Sequence, residues 1–339
     1  MSYPKFLNFF REKNRLNATV PLVFIALVIV LSLSRGSVEL SSHEIIKAFL
    51  REGDLTNQII FWELRLPRLI ASLLVGSALG MSGALLQGML RNGLASPYLL
   101  GISAGSGLVI VLLISMGLWL SWIPIAAWIG AIITTLIVYL LAKSGTSISV
   151  ERLILAGVAL SSLFGSIQSM LLLQTEDGRV QAALTWLIGS LNSRGWTEIK
   201  LAGPPIIFAL VVGLLLSRQL NLLGLGDELS VGLGNSLFRS RCLIGASATL
   251  LAASSVSVGG LIGFVGLIVP HAVRFLFGTD YKVVLPFSAL LGALTLSSAD
   301  LIARSGTIEL PVGIITSLLG APIFIVLLYK RQKSLTSLR

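Results

Sequence analysis

The sequence predicts an all-α, polytopic membrane protein with ten transmembrane helices, and three observations carry that expectation. Of its 339 residues, 55% are hydrophobic and only 12% are charged, about half the charged share of a soluble domain. The apolar residues gather into runs close to the ~20 residues that a helix needs to cross a hydrocarbon core. Most charges fall between these runs, and lysine and arginine favour one set of connections over the other.

Taken in order, the runs are 20–34, 69–90, 98–117, 123–142, 152–173, 201–216, 242–258, 261–277, 283–303 and 311–329. Lys5, Arg11, Lys13 and Arg15 precede the first. That pattern also opens a signal peptide, but no Ala-x-Ala site follows, so the run reads as a retained span behind a cytoplasmic tail, residues 1–19. An even number of spans puts both termini on one side. With the termini inside, 16 of the 25 lysines and arginines are cytoplasmic, which satisfies the positive-inside rule. Segments 35–68 and 174–200 then lie outside, and 217–241 is the long internal connection. The whole chain, 1–339, reads as a single transmembrane domain.

Segment 259–274 is apolar enough for lipid yet carries several glycines, a proline and a histidine. On a helix, Gly260, Gly263 and Gly266 would drift along one side and allow close backbone packing. Pro270 and His271 then read as a break near the inner face, which makes the segment a packing and hinge element. Gly76, Gly80 and Gly83 form a similar small-residue face in the second run, and 246–260 forms another in the seventh. These two runs have opposite direction, so the likeness suggests an inverted internal repeat, a recurring plan in transporters.

Four further motifs stand in the connections. Arg65 and Arg68 flank Pro67 at the external start of the second run, and they read either as snorkelling anchors or as a fork for carboxylates on an external protein. Arg91 to Pro97 reads as a tight internal turn or a gate. In 221–234, Asp227 and Glu228 suit the start of a short helix and Gly232 or Gly234 its end, giving a linker or a platform for a cytoplasmic partner. Asp300 and Arg304, four apart, can pair on one helix face, which makes Asp300 a poor proton relay.

Much is excluded. The formal net charge of +10 comes without a basic, aromatic-interleaved stretch, so nucleic acid is not an expected partner. Cys242 is the sole cysteine and the two histidines are 228 positions apart, which leaves no Cys/His cluster for a metal. There is no Gly-Lys-Ser or Gly-Lys-Thr and no His-Glu-x-x-His, so a non-catalytic role is expected.

Together, Arg65-Leu66-Pro67-Arg68, Gln87 with Arg91-Asn92-x-Leu94-Ala95-x-Pro97, the run Gly263 to His271, Ala299-Asp300 with Arg304, Glu309 to Gly313, and Gly320-Ala321-Pro322-x-Phe324 resemble the FecCD type of ABC importer permease, over about 65–328. The resemblance implies a BtuC-like (type II ABC importer) fold in the bacterial inner membrane and a dimer with an identical or homologous permease. It also implies two ABC ATPase subunits inside and a substrate-binding protein outside. No cofactor is expected on this chain, because ATP and magnesium would act on the ATPase. Arg65, Arg68 and Arg304 look like the docking arginines, and Gly226, Asp227, Glu228, Leu233 and Gly234 look like the segment received by the ATPase. On that basis, replacing Arg65 and Arg68 with glutamate should weaken docking and spare assembly with the ATPase. Asn92 and Leu94 match a cytoplasmic gate, with Val150 and Glu151 as its looser second half, although Gly93 stands where the family usually has proline. Ser162, Ser166, Gln168 and Ser169 would line the pathway. The expected cargo is a ferric siderophore, with vitamin B12 or haem as alternatives and an ion-coupled carrier as a remote one.

Overall fold

A computed structural model describes the backbone of residues 3–36, 38, 40–118, 122–144, 147–306 and 308–336 and, within these, the side chains of 19–36, 38, 40–98, 101–118, 122–143, 149–306 and 308–326. The chain opens with α1 (Tyr3–Ser34), α2 (Ser42–Phe49) and α3 (Leu55–Ile59), and a π-helical stretch, Ile60–Arg65, leads into α4 (Leu66–Met89). A 3₁₀ turn at Pro97–Leu100 precedes α5 (Ile102–Ser115) and α6 (Ile123–Ala142), and a two-residue antiparallel ladder, Lys143–Ser144 with Ser147–Ile148, leads to α7 (Val150–Leu173). Then follow α8 (Asp177–Ile188), α9 (Trp196–Leu215), α10 (Ser217–Gly224), α11 (Asp227–Gly232), α12 (Leu237–Gly259), α13 (Val265–Phe277), α14 (Tyr281–Ala303) and α15 (Val312–Thr336).

Among the described residues, six helices are long and apolar enough to cross a membrane: Leu55–Met89, α6, α7, α9, α12 and α14. Four apolar stretches are shorter: Thr19–Ser34, α5, α13 and Val312–Val326. Each expected run overlaps one of these ten, but length alone qualifies six. Residues 3–19, expected as a tail, continue helically into α1.

The sequence explains the main joints. Pro67 sits in the first turn of α4, where its missing N–H costs nothing. Ser41 and Glu44 form a reciprocal capping box at α2, with the Ser41 amide donating to Glu44 Oε2 at 2.8 Å. At the centre lies α4, buried without interruption from Ala78 to Met89 and packed on α9, α12, α13 and α14. Its small-residue face does what the spacing suggested. A Cβ on Gly80 would lie 2.1 Å from the Ser288 carbonyl of α14, and one on Gly83 would lie 1.7 Å from the Gly266 carbonyl of α13. The small face of α12 meets the opposite side of α4, where Ser82 Oγ donates to the Ala248 carbonyl at 2.7 Å.

Segment 259–274 differs from its expected form. The break is not at Pro270, which lies inside α13, but at Gly260–Phe264, which is non-helical. Gly260 has φ +70°, and Gly260 and Gly263 therefore share no helix face with Gly266. Phe264, at φ +66°, holds a left-handed conformation that costs a bulky side chain energy. A Cβ on Gly320 would lie 2.6 Å from the Phe264 Cβ, so α15 packs directly over the break. His271 takes its place on α13 next to Pro270.

Candidate functional site

The two ends of α4 carry different chemistry, about 36 Å apart at 1.5 Å per helical residue. At its first end lies a cavity of about 800 Å³ whose lining includes Arg35, Arg65, Arg68, Arg194, Arg304, Glu63 and Glu309. The sequence brings three of these arginines to one place, but the structure commits them to this chain. Arg65 is buried and donates to the main-chain carbonyls of Leu33, Ser34 and Val38. Arg68 grips Asp300 with two nitrogens, Nε at 3.0 Å from Oδ2 and Nη2 at 2.8 Å from Oδ1, and donates to Glu309 through Nη1. Arg304 donates to Ser32 and approaches Asp300 at 3.7 Å. The expected Asp300–Arg304 pair is thus the longer of two, and Arg68, 232 positions away, is the closer partner. Two cations here were not singled out from sequence. Arg35 is exposed on the rim, and Arg194 lies 5.3 Å from the Trp186 ring with an unpartnered Nε.

At the other end of α4, the 91–97 turn closes on itself. The Leu94 amide donates to Asn92 Oδ1 at 2.9 Å and the Ala95 amide to the Asn92 carbonyl at 3.0 Å, so Asn92 acts as a turn former. Leu94 is exposed, and open space surrounds Gly93, where the family's proline would find room. Val150 and Glu151 open α7 behind the cap Ser149, and among the described residues no hydrogen bond or ion pair joins them to Asn92 or Leu94.

Segment 217–241 folds as two short helices before α12 begins. As expected, Asp227 and Glu228 open α11 and Gly232 closes it, with Gly226 (φ +106°) and Gly234 (φ +81°) at its borders. Asp227 is held by Arg241 at 2.9 Å and lies 3.9 Å from Arg91. Leu225, Leu229, Val231 and Leu233 are exposed. Asn221, in α10, donates to Asp280 Oδ1 at 2.7 Å and accepts from the Tyr281 amide at 3.1 Å. Donors from the Lys282 amide and Asn221 hold the Asp280 carboxyl below the usual carboxylate range, so it is ionised at neutral pH.

Between the ends, α7 is the least covered of the long helices, with only Leu153 and Gly157 buried. Ser162, Ser166 and Ser169 share its open face, and the last two donate to the carbonyls of Ser162 and Gly165 at 3.0 Å. Gln168 is not on that face. It turns inward and donates to the Ala104 carbonyl of α5 at 2.9 Å.

The described residues thus combine an exposed serine face on a membrane-length helix with an arginine-lined cavity at one end of α4 and exposed leucines and a valine in α10–α11 and its borders. The profile of the FecCD transport family matches residues 24–330. This chain belongs to the FecCD transport family. Members of the FecCD family are permease subunits of ABC transporters, in which ATP hydrolysis lies in a separate subunit. The chain is 38% identical to the Fe(3+)-citrate import system permease protein YfmE of Bacillus subtilis, over 94% of this chain and 96% of that one. It is 40% identical to the cobalamin import system permease protein BtuC of Halobacterium salinarum, over 82% and 75%. Among solved structures it matches a metal-chelate type ABC transporter in an inward-facing conformation with TM-score 0.83 and 32% identity, over 97% of this chain and all of that one. The FecCD fold and the resemblance carried by the motifs therefore agree.

Proposed function

We propose that this chain is the permease subunit of an ABC importer that carries a ferric siderophore across the bacterial inner membrane. In this reading it crosses the membrane ten times, in two inversely related halves, with both termini cytoplasmic. It pairs with a second permease across the open face of α7 and is served by two ATPases and an external binding protein. The observation that carries the reading is the α10–α11 segment: a projection tied down by Asp227 and Arg241 whose leucines and valine have no cover in this chain. Exposed apolar groups rimmed by charge mark a surface for a protein partner, and here that partner is the ATPase. Alternating access follows if the ATPases draw this segment in and the change passes to the 91–97 turn.

Reconstitution with the ATPase and binding protein tests the reading. ATP-dependent uptake of a ferric siderophore is the expected result. Uptake of cobalamin or haem alone would change the cargo, and uptake that persists without ATP under a proton gradient would replace the reading by an ion-coupled carrier. At the cationic end, exposed Arg35 and half-buried Arg194, both in the cavity lining, are the arginines assigned to acidic groups of the binding protein. Arg35→Glu combined with Arg194→Glu is expected to weaken docking at least about tenfold, because like charges would then face each other across the interface. Assembly with the ATPase should be unchanged. Undiminished docking in a pull-down titration would remove these two residues from the interface.

A further inference from the structure

Gln87 is the one long polar side chain buried inside α4's closely packed half, with only 3% of its surface exposed. Its neighbours settle the orientation of its amide. Three carbonyls surround Nε2: Ala95 in the turn at 3.2 Å, Leu267 at 3.1 Å and Gly266 at 3.4 Å. On the other side, Oε1 accepts from Arg274 Nη2. The Gly266 carbonyl has a particular need of a donor. In an α-helix it would accept from the amide four residues on, but that residue is Pro270, which has none. Gln87 therefore satisfies a backbone group that Pro270 leaves open, and in doing so it ties α4, α13 and the turn together.

The connection continues outward. The Arg274 guanidinium lies near enough to the Tyr281 hydroxyl for the two to interact electrostatically. Tyr281 opens α14 beside its cap Asp280, and both are bonded to Asn221 of α10. The Tyr281 ring also stands against Gly88, where a Cβ would lie 2.7 Å from its hydroxyl oxygen. A series of hydrogen bonds and one electrostatic contact, between Tyr281 and Arg274, thus runs from α10 through α14 and α13 to Gln87 and the Ala95 carbonyl. Its members belong to four helices and one turn that are otherwise joined by apolar packing, which slides more readily than directed hydrogen bonds do.

We propose that Gln87 is a positioning residue that couples the α10–α11 segment to the 91–97 turn, so that displacement of the segment re-aims the turn. The proposal rests on the reading of 217–241 as the ATPase-facing segment. Simple proximity of the contacts is not coupling; the test must therefore separate transmission from stability.

Gln87→Glu keeps an acceptor for Arg274 and removes the two amide donors, whereas Asn221→Ala cuts the far end of the series at a half-exposed position where folding is little affected. In proteoliposomes holding permease, ATPase and binding protein, with radiolabelled ferric siderophore as the probe, both variants are expected to hydrolyse ATP within about twofold of the parent. Transported molecules per ATP should fall about tenfold, a usual size for coupling between sites. If uptake and hydrolysis fall in parallel in Asn221→Ala, the series is structural only and the proposal is overturned; unchanged transport per ATP in both variants overturns it as well. Should Gln87→Glu not assemble, Asn221→Ala alone decides. A parent complex in which this permease neither binds nor stimulates the ATPase would instead refute the functional reading on which the proposal rests.

Discussion

Arg68→Glu is expected to lose about 3–5 kcal/mol of stability, the cost of breaking a buried ion pair by removing one partner. Asp300 is 1% exposed and Arg68 12%, so solvent cannot take over the lost contact. The new glutamate would stand against both Asp300 and Glu309, the two carboxylates that Arg68 now neutralises. Arg304, at 3.7 Å and already bonded to Ser32, is not placed to replace it. Thermal unfolding in detergent measures the effect. Arg68→Met combined with Asp300→Asn should recover part of the loss, because the carboxylate at 300 is then no longer buried without Arg68, although Arg304 loses its longer contact. An Arg68→Glu protein that melts with the parent would show that the ion pair does not hold this end together. The same geometry alters what the double glutamate substitution at Arg65 and Arg68 can report: reduced binding-protein docking in that variant would reflect a collapsed end of the bundle as much as a lost contact.

Gly83→Ala should be nearly as damaging, although it adds a single methyl group. That methyl would lie 1.7 Å from the Gly266 carbonyl oxygen and 2.8 Å from its Cα, so backbone rather than a flexible side chain would have to move. Overpacking ordinarily costs about 1–3 kcal/mol and more when the backbone must shift. Here α13 would be pushed off α4 at the point where Gln87 holds it. Gly178→Ala is the control. Gly178 lies in α8 with nothing within 4 Å of its Cβ position, and alanine there should be neutral or stabilising by up to about 1 kcal/mol, the helix-propensity difference. Yield of folded, monodisperse protein and its melting temperature check both. Equal behaviour of the two variants would contradict the close approach of α4 and α13.

Helical character, the positions of the apolar segments, the small-residue faces of α4 and α12 and the short helix opened by Asp227 were legible in the sequence. Each is set by neighbours within one turn or by a simple period. The break at Gly260–Phe264 was legible only in outline. Glycine spacing in a helical frame cannot show that Gly260 takes φ +70° or that Pro270 stays inside a helix. Gln168 was misplaced for a related reason, since a polar residue on a membrane helix is as well satisfied by a neighbouring carbonyl as by an aqueous pathway.

The sequence by itself determined what kind of solvent this chain meets and which short stretches bend, cap or pack, because apolar runs, proline and glycine act locally. Only the tertiary structure decided which charges are spent and which are free. Arg65, Arg68 and Arg304 look alike as arginines near a membrane surface, and burial against carbonyls and Asp300 is what commits them, while Arg35 stays exposed at the cavity. Likewise, nothing local to Gln87 foretells that it donates to the Gly266 carbonyl, which Pro270 leaves without its helical donor. Gln87 and Gly266 are 179 residues apart, and a hydrogen bond over that separation exists only once the helices have packed.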